Sequence, residues 1–108
     1  MKTNPETMSW TAPTTNVDGT DITYAMEYEV GLQESGVFTP LMTIPGQLQD
    51  GGRYTAPIAD LALDYGEHSI ALRTFAKEDP ARKSAWSESV EFVLSAEIPS
   101  APLDLRVT

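Results

Sequence analysis

Residues able to do covalent or metal chemistry are scarce in this sequence. His68 is the only histidine and there is no cysteine. Acid–base work would therefore rest on one imidazole or on carboxylates, and no thiolate nucleophile, disulfide or Cys-ligated zinc site is available. His68 stands in the alternating run EHSIALRTFA, where a ring packs into a core more readily than it relays protons, and no Ser-His-Asp spacing can be built around it. The stretch NVDGTD gathers the oxygen-bearing Asn16, Asp18 and Asp21, donor types that suit Ca²⁺. A calcium loop also needs a carboxylate about six residues after its glycine, and Glu27 is not in that place. Turn chemistry accounts for the three residues, and the expectation is no catalytic residue, no cofactor and no metal.

Groups suited to non-covalent contact are easier to find. The segment KEDPARKS concentrates Lys77, Arg82 and Lys83, three of the seven basic residues, together with Glu78 and Asp79. It reads either as a recognition loop or as a solvated one. Trp86 follows at once in AWSES, and Arg73, Arg82 or Lys83, with Arg73 the candidate, would lie over its ring in a contact worth about 0.5–1 kcal/mol when exposed. The run PSAPLDLRVT alternates Leu103, Leu105 and Val107 against Asp104, Arg106 and Thr108, the pattern of a strand.

The elements that hold these groups are short alternating runs between turn residues, which predicts an all-β sandwich or barrel. TMSWTA puts Met8 and Trp10 on one face, and Asp18-Gly19 marks a turn. DITYAMEYEVGLQ sets Ile22, Tyr24, Met26, Tyr28, Val30 and Leu32 against Thr23, Ala25, Glu27 and Glu29. GVFTPLMTIPG, with Pro40 inside and Pro45-Gly46 closing it, suits a short edge strand. A QDGG turn leads into RYTAPIADLAL, read as a strand in which Pro57 marks an edge or bulge, and the strands EHSIALRTFA and AWSESVEFVLS complete about six.

At 108 residues the chain predicts one domain, with 41% hydrophobic residues, two Trp, four Tyr and three Phe to fill a core. A formal net charge of -9 opposes phosphate-rich partners, so neither nucleic acid nor an anionic membrane surface is expected. No run approaches the roughly 20 apolar residues of a membrane span.

The order Trp-x-x-Pro, Asp-Gly turn, Tyr-x-Val strand and Trp-Ser strand resembles the fibronectin type III domain. MSWTAPTTNVDGTDITYAMEYEV is similar to the front half of bacterial and phage members, and the resemblance covers residues 8 to 94. It implies an immunoglobulin-like sandwich of about seven antiparallel strands in two sheets, with Trp10 buried in the second strand and Tyr28 and Val30 in the third. His68 falls where the family carries a corner tyrosine and is read as a variant of that corner. The family's first strand is absent before Met8, and its pattern occurs instead at residues 102–107. Domain boundaries follow: 1–98 for a domain without its usual first strand, and 99–108 for a linker plus the displaced segment.

That segment has three readings: the first strand of a following repeat, an orphan tail, or a donor strand that completes another copy head to tail; self-insertion parallel to the second strand, which would leave a monomer, is a further alternative. The resemblance implies a non-catalytic structural or adhesive module that recognises a protein or glycan surface or spaces other domains, with a virion or extracellular setting favoured over a cytoplasmic enzyme. The alternative is an accessory module of a secreted multidomain glycan-degrading enzyme.

Overall fold

The computed structural model describes residues 1–45, 47–48 and 51–108. Gly46, Gln49 and Asp50, on which the expected Pro45-Gly46 and QDGG turns partly rest, lie outside the described residues. The strands are β1 (Lys2–Thr3), β2 (Thr7–Thr11), β3 (Met26–Glu34), β4 (Val37–Ile44), β5 (Gln47–Leu48), β6 (Arg53–Pro57), β7 (Gly66–Ala76), β8 (Asp79–Lys83) and β9 (Val90–Leu94). One sheet runs β1-β9-β7-β3-β4, with β8 also on β7, and the other runs β2-β6-β5. All pairings are antiparallel except β1 on β9.

The two sheets face each other over one apolar core. Tyr28 and Val30, 2% and 0% exposed, come from the alternation of β3, and Ile70, Phe92, Ile44 and Ala56 join them from β7, β9, β4 and β6. Each large apolar side chain buried in this way contributes about 1.5–3 kcal/mol. Three rings bridge the sheets: Trp10 meets Tyr28 edge-on at 5.0 Å and stacks on Tyr54 at 6.2 Å, while Tyr28 and Tyr54 lie 5.6 Å apart. Such pairs add about 0.5–1.5 kcal/mol to their burial. Burial pushes the Tyr28 phenol above its ordinary pKa; the Trp10 indole N–H opposes part of that rise without reaching hydrogen-bond geometry.

Turn chemistry fixes the hairpins. Ser35 and Gly36 take φ of +51° and +80° between β3 and β4, the left-handed pair that suits a two-residue hairpin. Pro40 sits on the edge strand opposite Gly31, where the β3–β4 register shifts by a bulge.

Several sequence expectations are corrected. The strand expected through RYTAPIADLAL stops at Pro57, and Ile58–Leu61 forms a 3₁₀ turn ended by Ala62 at φ +51°. KEDPARKS is not a loop: a two-residue turn, Lys77-Glu78, joins β7 to β8. A short strand does precede Met8, but β1 lies parallel on β9 instead of antiparallel on β2. Residues 102–108 form no strand, and Asp104 at φ +59° interrupts their extended run. The total is nine strands, not about seven, among the described residues.

Candidate functional site

Two regions gather the residues suited to recognition, and β7 connects them. At one pole the Asn16–Ile22 loop faces the β7–β8 hairpin across an open cleft of about 460 Å³. The loop is organised by its own side chains. Asp18 accepts hydrogen bonds from the Thr20 hydroxyl at 2.6 Å and from its N–H at 3.0 Å, and those bonds hold the carboxyl below its ordinary pKa. Asn16 Nδ2 donates to Thr20 and to the Asp21 carbonyl, and Gly19 at φ +87° lets the chain reverse. Asn16, Asp18 and Asp21, weighed above as calcium donors, are thus tied into the turn. Among the described residues no group of three or more His, Asp or Glu is placed to hold a metal ion.

The hairpin side of the cleft is basic. Tyr24 donates a hydrogen bond to Asn16 Oδ1, and its ring carries the Arg82 guanidinium 4.7 Å from the centroid. Loop and hairpin are thereby linked through Asn16, Tyr24 and Arg82. Arg82 Nε also lies 3.9 Å from Asp79, but both groups are 56% exposed, so that pair contributes little. Of the other candidate loop residues, Lys77 and Glu78 are exposed at the tip and Lys83 turns toward Glu29.

On the outer face of the larger sheet, the Arg73 guanidinium lies 4.1 Å over the Trp86 ring. Arg73 donates to Glu29 Oε1 from Nε at 2.7 Å, and Lys83 Nζ approaches the same oxygen at 3.4 Å. Partial burial alone would raise the Glu29 carboxyl, but hydrogen bonds and charge from Arg73, with the charge of Lys83, outweigh it and the pKa is lowered. Beneath the stack, Trp86 rests on Gly31: a Cβ there would sit 2.7 Å from Cη2 of the indole. The ring can occupy this place because β3 has no side chain at that point.

Two serines that sequence reasoning overlooked make this possible. Between β8 and β9 the chain leaves regular strand geometry, yet Ser84 N–H donates to the Thr74 carbonyl at 2.7 Å and Ser87 N–H to the Leu72 carbonyl at 2.8 Å. In return, Thr74 N–H donates to Ser84 Oγ and Leu72 N–H to Ser87 Oγ. Hydroxyls thus replace two missing ladder acceptors, and Ala85-Trp86 is released to cross the sheet face. The signal was the Ser-x-x-Ser spacing around the tryptophan.

His68 is partly buried, 5.8 Å from the Phe92 ring, with Nε2 placed 2.7 Å from the Asp64 carbonyl, to which it donates. It ties β7 to the preceding corner. Leu103, Leu105 and Val107 touch neither region and are 91%, 92% and 98% exposed.

No family model, curated protein or solved structure matches the chain.

Proposed function

We propose that the chain is a non-catalytic, fibronectin type III-like module with a structural or adhesive role, which engages a protein or glycan surface through the pole between the Asn16–Ile22 loop and the β7–β8 hairpin. The observation that carries this reading is the Asn16–Tyr24–Arg82 connection. It holds a carboxamide, a phenol and a guanidinium in fixed positions at the mouth of an open cleft. Groups ordered before contact lose less conformational entropy on binding. The hairpin carries three cations, Lys77, Arg82 and Lys83, against two carboxylates, Glu78 and Asp79, on a chain of net charge -9, and with Asp18 and Asp21 across the cleft the pole offers both signs to a partner. Tyr28 and Val30 in the core, Trp10 partly buried against them, and the facing sheets support the family resemblance in the front half. A virion or cell surface is the setting in which such a module would act.

An oligosaccharide array together with immobilised anionic proteins tests the reading, using the full chain and the variants Arg82→Ala and Tyr24→Phe. Binding that is lost in Arg82→Ala and weakened in Tyr24→Phe is the expected result. Binding that both variants retain in full would place recognition on another surface.

A further inference from the structure

β2 is an edge strand of the smaller sheet. Among the described residues β2 pairs with β6 alone, so a row of backbone N–H and C=O groups between Thr7 and Thr11 faces outward. β1 covers the facing edge of β9 only at Phe92 and Val93. Between these two edges runs an apolar groove of about 280 Å³ whose walls include Met8, Trp10, Ile70, Leu72, Val90 and Phe92. Val90 is 63% exposed there, a large apolar side chain turned to solvent at the rim.

The same chain carries an element with the pattern to fill this groove. Every residue from 96 to 108 is exposed, and within 102–108 the apolar side chains alternate with Asp104 and Arg106. The segment stands away from the body: the radius of gyration is 17.7 Å, against about 13 Å for a compact domain of this length. Its seven residues span about 23 Å when extended, enough to run beside the five residues of β2 at about 17 Å.

Direction and tether length exclude an antiparallel strand of the same chain as the occupant. β1 climbs alongside β9, the chain turns over at Asn4–Glu6, and β2 returns in the facing sheet. A strand antiparallel to β2 therefore runs in line with β1 and approaches its start at Lys2. For the chain to fill its own groove in that direction, residues 96–101 would have to descend the whole length of β2 and reverse. Ser95 is held at the upper end by two hydrogen bonds with Asn4, and six residues reach about 20 Å at full stretch, which the descent alone nearly consumes.

We propose that residues 102–108 of one copy of this chain add to the free edge of β2 in a second copy, antiparallel to it, and seat Leu103, Leu105 and Val107 in the groove between β2 and β9. Backbone hydrogen bonds supply the pairing and the alternating side chains supply the fit. In the register that sets Leu105 against Trp10 and Val107 against Met8, Asp104 falls opposite Thr11, to which Arg53 already donates a hydrogen bond at 3.2 Å. Asp104 then exchanges its exposed ion pair with Arg106 for a second cation. The contact is heterologous, so it propagates into chains or closes into rings. It uses a side edge, not the pole, so its failure would leave the recognition reading untouched.

The test measures mass by light scattering for the full chain and for Leu105→Asp, from about 10 μM to about 1 mM, a range that brackets weak association. Leu105 is 92% exposed in the single copy, so this variant folds as the parent does. The expected result is an average mass that at least doubles over the range for the parent and stays monomeric for Leu105→Asp, with equal melting temperatures at the lowest concentration. A synthetic peptide of residues 101–108 added to Leu105→Asp should then shift the Trp10 fluorescence, and the same peptide carrying Leu105→Asp should not. Equal masses for the two proteins overturn the proposal. So does a lower melting temperature for monomeric Leu105→Asp, which would mean that the segment folds onto its own chain.

Discussion

Gly31→Ala isolates the packing that holds Trp86 against the sheet. A Cβ at residue 31 would lie 2.7, 2.8 and 3.1 Å from three atoms of the indole, closer than carbon atoms approach without displacement. The ring cannot tilt freely, because Arg73 lies 4.1 Å above it and Phe38 stands 5.6 Å to one side. It must lift as a unit, which separates the Arg73 stack and strains the Ser84 and Ser87 bonds that define the crossing. Overpacking of this kind costs about 1–3 kcal/mol. A loss of about 2 kcal/mol lowers the melting temperature by roughly 8 °C in a domain of this size. The assay is a double-mutant cycle by denaturant unfolding of the parent, Gly31→Ala, Trp86→Ala and the double variant. With Trp86 removed, Gly31→Ala should become neutral or stabilising by about 0.5–1 kcal/mol, since alanine suits a strand interior better than glycine. An equal cost of Gly31→Ala with and without Trp86 would refute the packing argument.

Three further outcomes follow from particular contacts. Glu29→Gln should be less stable than the parent near neutral pH by about 1.5 kcal/mol, the lower end of the scale of a charge-assisted bond. Because the folded pKa of Glu29 is lowered, that difference should be complete above the unfolded value near 4.5 and fade as pH falls through the lower native value; urea melts from pH 7 to pH 3 check it. His68→Phe keeps a ring beside Phe92 but removes the bond to the Asp64 carbonyl, and should lower stability by about 1 kcal/mol in thermal melts. Ser84→Ala and Ser87→Ala each leave one β7 N–H without its acceptor, and each should speed amide exchange locally at Thr74 or Leu72, with a global cost of about 1 kcal/mol.

Periodicity identified the core where local pattern and tertiary surroundings agree. Tyr28 and Val30 alternate with Glu27 and Glu29, and they are buried while the glutamates lie on the outer face. Trp10 and the Asp18-Gly19 turn were legible for similar reasons. β8 was not, because DPARK has the composition of a loop and becomes a strand only beside the long β7, context overriding propensity. β1 is too short and polar to show any period. The segment 102–108 misled in the opposite sense: its alternation is right for a strand, but a strand needs a partner, and the antiparallel side of β2 in the same chain lies beyond the tether. In the candidate site, residue types suggested a cation over Trp86 with Arg73, Arg82 and Lys83 all open, and tertiary placement selects Arg73. The Ser84 and Ser87 ladder substitutes were not, since serines beside Lys83 and Glu88 read as ordinary loop residues.

The open edge of β2 is the point at which the account is most exposed. Hydrogen exchange of the β2 amides that face away from β6, followed as concentration rises, measures its coverage directly. These amides should exchange quickly in dilute solution, become protected in concentrated solution, and lose that protection in Leu105→Asp while the β3 amides stay unchanged. Exchange at Thr7–Thr11 that is independent of both concentration and Leu105 would contradict the account.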